Sequence, residues 1–153
     1  MLRQKRTFLI KLSLILRTKM IPDFEYIKET TTRTIRLRLL ANGIIHYTYL
    51  PNVEVDENDH VENHKALVEL TGGIKHPLLI DSDYFISVTP KGREMIRQLE
   101  PQAPISVRAL VIRSLSHRIL SNFYIRFHKP IVPTSVFDSY AVAMNYLMES
   151  LKK

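Results

Sequence analysis

Cysteine and tryptophan are both absent from the 153 residues. Without cysteine there is no disulfide, no thiolate metal site and no thiol nucleophile, a usage that fits a reducing cytoplasm. Glycine is scarce, with four in the whole chain. No glycine-rich phosphate loop, dinucleotide fingerprint or G-x-S-x-G elbow can be assembled from them. Long apolar runs are missing too. Residues 8–16 are the best attempt, but Lys11 interrupts them and the stretch falls far below the ~20 residues of a membrane span. Acidic side chains are absent from residues 1–19, where six of the chain's 22 basic residues lie. The remaining chain holds 16 basic against 15 acidic residues. The overall +7 is therefore concentrated in this segment. The folded part is close to neutral and offers little counterion release, which argues against nucleic acid as a partner.

Residues 1–19 are expected to form a separate basic extension, followed by a single domain over 20–153. Three readings of the extension stay open. Met20 is the true start; or the segment is a basic membrane-surface anchor; or it is a targeting signal lacking a small-residue cleavage site. Any membrane contact is expected through this segment alone.

What is present is organised around residues 75–99. Pro77, Leu78, Leu79 and Ile80 form a short continuous apolar run, as in a strand covered on both faces. Thr89 and Pro90 then open a helix, with Thr as N-cap and Pro at the first helical position. Gly92, Met95, Ile96 and Leu99 make its apolar stripe, and Lys91, Arg93 and Arg97 face outward. The loop over 82–88 lies at the carboxyl end of a strand and the amino end of a helix. In open α/β sheets that edge is where ligands and partners dock.

In the rest of the chain, residues 32–40 alternate as a half-buried strand, with Ile35, Leu37 and Leu39 on one side. Asn42-Gly43 marks a hairpin, and 44–50 return as its antiparallel partner. Residues 55–70 read as a helix with Asp56, Glu57 and Asp59 at its start and Val61, His64, Leu67 and Val68 near its inner face. Gly72-Gly73 stops it. Residues 105–112 are an apolar strand. A helix follows over 116–127, with Ile119, Leu120, Phe123 and Phe127 inward and Asn122 buried as a polar tie between helix and sheet. Residues 131–137 are a short strand that Pro133 pushes to an edge. Asp138 or Ser139 caps the last helix, striped by Tyr140, Met144, Leu147, Met148 and Leu151. The order β-β-α-β-α-β-α-β-α predicts an α/β fold: a mixed sheet, with an N-terminal antiparallel hairpin at its edge, parallel strands and covering helices.

This order, with the Leu78-Leu79-Ile80-Asp81 strand leading into a loop and capped helix, resembles STAS domains of the anti-sigma-factor-antagonist type. It is similar above all to small uncharacterised bacterial proteins of that kind. Asn122-Phe123, Lys129-Pro130, Pro133-Thr134 and Phe137 add to the likeness, which covers about residues 32–151. The resemblance implies a non-enzymatic module that binds a protein partner and is switched by phosphorylation at the start of the central helix. Asp81, Asp83, Ser87, Thr89 and Arg93 are the candidate interaction and switch residues. Val88 stands where the family's phosphoacceptor falls, and Ser87 where its aspartate does, so Ser87 or Thr89 would have to substitute.

Other constellations are weaker. His60 and His64, four apart, have metal-sharing spacing but no third ligand. Asp81 and Asp83 can pair as acid and base, but loop carboxylates commonly bond backbone instead. Tyr47 and Tyr49 beside Arg36 and Arg38 suggest base stacking, which the near-neutral domain does not support. No catalytic residue, metal or cofactor is assigned. The alternative function is a carrier or sensor of a small apolar ligand or lipid, with Met95, Phe123, Tyr124 and Met144 as lining. Oligomeric state is left open.

Overall fold

The computed structural model describes residues 24–81 and 86–153. The expectations placed on residues 1–19 and on Asp83 lie outside that range, as does the side chain of Phe127. A six-stranded mixed sheet runs through the molecule in the order β1-β2-β3-β5-β7-β8. Its strands are β1 (Tyr26–Thr31), β2 (Ile35–Leu40), β3 (Ile45–Tyr49), β5 (His76–Asp81), β7 (Ile105–Val111) and β8 (Thr134–Phe137). The first three are antiparallel to one another, and β3, β5, β7 and β8 are mutually parallel. A small parallel pair, β4 (Glu54–Val55) with β6 (Ser87–Val88), stands apart from the main sheet. The helices are α1 (Glu57–Thr71), α2 (Pro90–Leu99), α3 (Leu115–His128) and α4 (Tyr140–Ser150), with a 3-10 turn over Glu100–Gln102.

The hairpin forms where Asn42-Gly43 placed it. The Gly43 N–H donates to the Leu40 carbonyl at 3.0 Å, and Gly43 takes φ +86°, a conformation that glycine adopts without a side-chain penalty. The hairpin is not the sheet edge, however. Strand β1 pairs outside it, a strand with no apolar alternation and almost wholly exposed side chains. Its order comes from the backbone ladder to β2, so periodicity carried no sign of it.

Both faces of the sheet are covered. On one, Ile35, Leu37, Ile45, Tyr47 and Leu78 meet Leu67 and Leu70 of α1. On the other, Leu40, Ile44, Leu79, Ala109 and Val111 meet Tyr140, Ala143 and Leu147 of α4. Strand β5, in the middle, is buried from Pro77 to Leu79, as a doubly covered parallel strand requires. A register shift opens β7. His76 pairs with Ile105 but Leu78 pairs with Arg108, so three residues of β7 span what two of β5 span. Such a bulge changes the facing of everything that follows it.

Helix α1 starts on a capping box: Asp56 accepts the Asp59 N–H, and Asp59 accepts the Asp56 N–H, both at 2.9 Å. Its inner face is His60, Asn63, Leu67 and Leu70; Val61, expected inside, is exposed. Asp59 is turned inward by Arg33, whose Nε donates to it at 2.8 Å. Burial opposes the charge on Asp59, but the hydrogen bonds from Arg33 and the Asp56 N–H outweigh it and hold the carboxyl below its usual range.

Helix α3 departs most from expectation. None of its described side chains is buried, and Leu115, Ile119, Leu120 and Phe123 are 57–66% exposed. Asn122, expected as a buried tie, is exposed as well. The helix packs against β8 at the sheet margin and stands off the sheet beside it. Its apolar stripe is therefore exposed, and Leu120, Tyr124 and Ile125 border a space between the helix and the sheet.

Candidate functional site: an apolar cleft beneath α3

That space is a cleft of about 530 Å3. Tyr47, Leu78, Ile80 and Leu110 form its floor on the sheet. His60, His64 and Leu67 line it from α1, Arg93, Ile96 and Leu99 from α2, and Leu120, Tyr124 and Ile125 from α3. The volume is in the range that takes one small organic molecule, and the composition, mostly apolar with a few polar groups, is that of a ligand site.

The polar groups are held by specific neighbours. Tyr47 and Tyr49, two apart on β3, point to the same face with ring centroids 5.1 Å apart in an edge contact. Burial, and for Tyr47 also the neighbouring Tyr49, pushes both phenols above their ordinary value. They are neutral hydrogen-bonding groups inside the wall, not a base-stacking surface on the hairpin. Asn63 is anchored from α1 to the β1–β2 turn: its Oδ1 accepts the Thr32 hydroxyl at 2.6 Å, and its Nδ2 donates to Thr34 Oγ1 at 3.0 Å. Glu100 and Arg108 form an ion pair at 3.3 Å, with side chains 8% and 15% exposed. The same carboxylate accepts the N–H groups of Ile131 and Val132. His60 is buried, burial drives it toward the neutral form, and its Nε2 has no hydrogen-bond partner among the described residues.

The residues proposed from sequence are dispersed. Thr89 is the N-cap of α2, accepting the Gly92 N–H at 3.0 Å. Ser87 is half-buried in β6, paired beside Glu54. Arg93 lies exposed in the first turn of α2, donating to the Val88 carbonyl at 2.7 Å and reaching the cleft. Asp81 belongs elsewhere. It is 1% exposed on the opposite face of the sheet and accepts a hydrogen bond from Tyr140, so it is not a surface contact residue. Of the ligand-lining set, Tyr124 is in the cleft wall, while Met144 packs beside α4's core on the other face. Met95 and Phe123 are not among the lining residues. His60, Asn63, Tyr47 and Arg108 were missed as a group, because nothing in local spacing brings α1, β3 and β7 together.

The architecture, a mixed sheet with its antiparallel hairpin, parallel strands and four covering helices, is a SpoIIAA-like, STAS-type fold. The structure of an uncharacterized protein of the DUF3478 family with a SpoIIAA-like fold, from Shewanella loihica PV-4, superposes with a TM-score of 0.54 at 12% identity, covering 79% of this chain and 91% of that one. The chain belongs to the family described as Domain of unknown function (DUF7793), whose family model matches residues 38–151. No curated protein matches it. Among the described residues no helix is long and apolar enough to cross a membrane.

Proposed function

We propose that the protein is a non-enzymatic binding module whose cleft beneath α3 takes a small apolar ligand. The observation that carries this is the standing-off of α3: its apolar stripe is left exposed, and on the side facing the sheet Leu120, Tyr124 and Ile125 wall an apolar cleft of about 530 Å3. A helix with such a stripe ordinarily packs it, and an occupant of the cleft would cover part of it. Native mass spectrometry of the full chain purified from its source tests this. A bound small molecule released on denaturation is expected. A ligand-free spectrum, together with no uptake of an apolar fluorescent probe such as 1-anilinonaphthalene-8-sulfonate, would remove the reading.

A second reading follows from the same helix: a regulatory interaction module of STAS type, binding a protein partner. Leu115, Ile119 and Phe123 are exposed and do not line the cleft. Contiguous exposed apolar side chains commonly mark contact surfaces. A phosphorylation switch at Ser87 or Thr89 belongs to this reading, and it would act by replacing a cap or disturbing the β4–β6 pair. A pull-down from source lysate with wild type, Ile119→Asp and Thr89→Glu separates the two surfaces. Loss with Ile119→Asp alone places the contact on α3, and loss with Thr89→Glu places it at the start of α2.

A further inference from the structure

The charged groups around the cleft are unevenly matched. Glu100 is committed to Arg108 and to two backbone N–H groups. Arg93 gives one N–H to a carbonyl and has no carboxylate partner among the described residues. On α1, His60 is 7% exposed and its Nε2 has no partner among the described residues. A buried polar atom without a partner is unfavourable unless something supplies one. Among the described residues the cleft therefore combines a long apolar floor with a cation and a ring nitrogen that lack partners, and its one carboxylate, Glu100, is already committed.

Resting on the reading of the cleft as a ligand site, we propose that its occupant is a single-chain carboxylate amphiphile. Its head would accept hydrogen bonds from the Arg93 guanidinium and from His60 in the tautomer that carries its proton on Nε2. Its tail would run along Leu78, Ile80 and Leu110 beneath Leu120 and Ile125. A carboxylate only accepts hydrogen bonds, which suits two donors, and an arginine fork suits its geometry. A dianionic head would bring a second charge, and Arg108, the other described arginine of the wall, is already committed to Glu100. A cationic head would meet Arg93 with like charge.

The test is isothermal titration calorimetry of the full chain with decanoate, decanol and decyltrimethylammonium. Decanoate is expected to bind about tenfold or more tighter than decanol, the scale of one charge-assisted hydrogen bond, and decyltrimethylammonium weakest. Arg93→Gln, at an exposed helix position, is expected to cost decanoate about tenfold and to leave decanol unchanged. His60→Leu is expected to act in the same way; if that variant does not fold, Arg93→Gln and the head-group series decide the matter. Equal binding of all three probes, or equal loss of decanoate and decanol in Arg93→Gln, would overturn the head assignment and leave the apolar cleft standing. Binding of none of them would overturn both.

Discussion

The hydroxyl of Tyr140, the first residue of α4, donates to the carboxyl of Asp81 at the end of β5. This joins the last helix to the central strand across the buried face opposite the cleft. Both residues are buried, at 8% and 1% exposure. Tyr140→Phe keeps the ring and removes one hydrogen bond to a buried acid, so a loss of about 1–3 kcal/mol is expected. Tyr124→Phe, on the more exposed α3, should cost under about 0.5 kcal/mol. Urea unfolding of the two variants checks the difference, and equal midpoints would refute it.

His46 lies on the same face, against the rings of Phe24 and Tyr140. Burial, assisted by the Arg38 charge, holds its pKa down to about 4 against a raising influence from Asp81. Between pH 6.5 and 4 the unfolded chain thus binds the proton that the folded chain refuses. Stability should fall as the pH is lowered through this window and level off below it, by about 3 kcal/mol in all. His60 and His64 are shifted in the same direction by burial and add to the slope. Unfolding free energies of wild type and His46→Gln at pH 7, 6 and 5 should diverge, with the variant less pH-dependent. Parallel curves would show that His46 is not the titrating group.

Gly92 shows a different constraint. A Cβ there would meet the Val55 carbonyl oxygen at 2.9 Å, with Thr89 Oγ1 and Val88 Cγ1 at 3.1 Å. Alanine is the better helix former by about 1 kcal/mol. The clash is with backbone, however, and overpacking of this kind costs about 1–3 kcal/mol. Gly92→Ala should therefore lower the melting temperature. A rise would mean that α2 can move away from β4 at little cost.

Two asparagines separate the role expected from sequence from the one found. Asn63 is 3% exposed and bonded to Thr32 and Thr34. Asn63→Ala strands both hydroxyls and should cost about 1–3 kcal/mol. Asn122 is exposed, and Asn122→Ala should stay within about 0.5 kcal/mol. Chemical denaturation of the pair checks the ranking, and a large loss at Asn122 would mean that α3 packs more closely than described.

Local chemistry made much of the fold legible. Asn42-Gly43 specified the hairpin, Thr89-Pro90 the start of α2, and the unbroken Leu78–Ile80 run a strand buried on both faces. Each is a short-range rule in which the residue type itself limits the backbone. Strand β1 escaped because a solvent-facing edge strand is held by ladder hydrogen bonds that leave no apolar period. The stripe of Ile119, Leu120 and Phe123 announced a helix, but not what would lie against it, since the same 3.6-residue period serves a helix packed on a sheet and one raised above a cleft. How far α3 stands from the sheet, and that His60, Asn63, Tyr47 and Arg108 all line the cleft beneath it, depend on how α1, β3, β7 and α3 are seated against one another. Those are contacts between segments distant in the chain, and only the tertiary structure decides them.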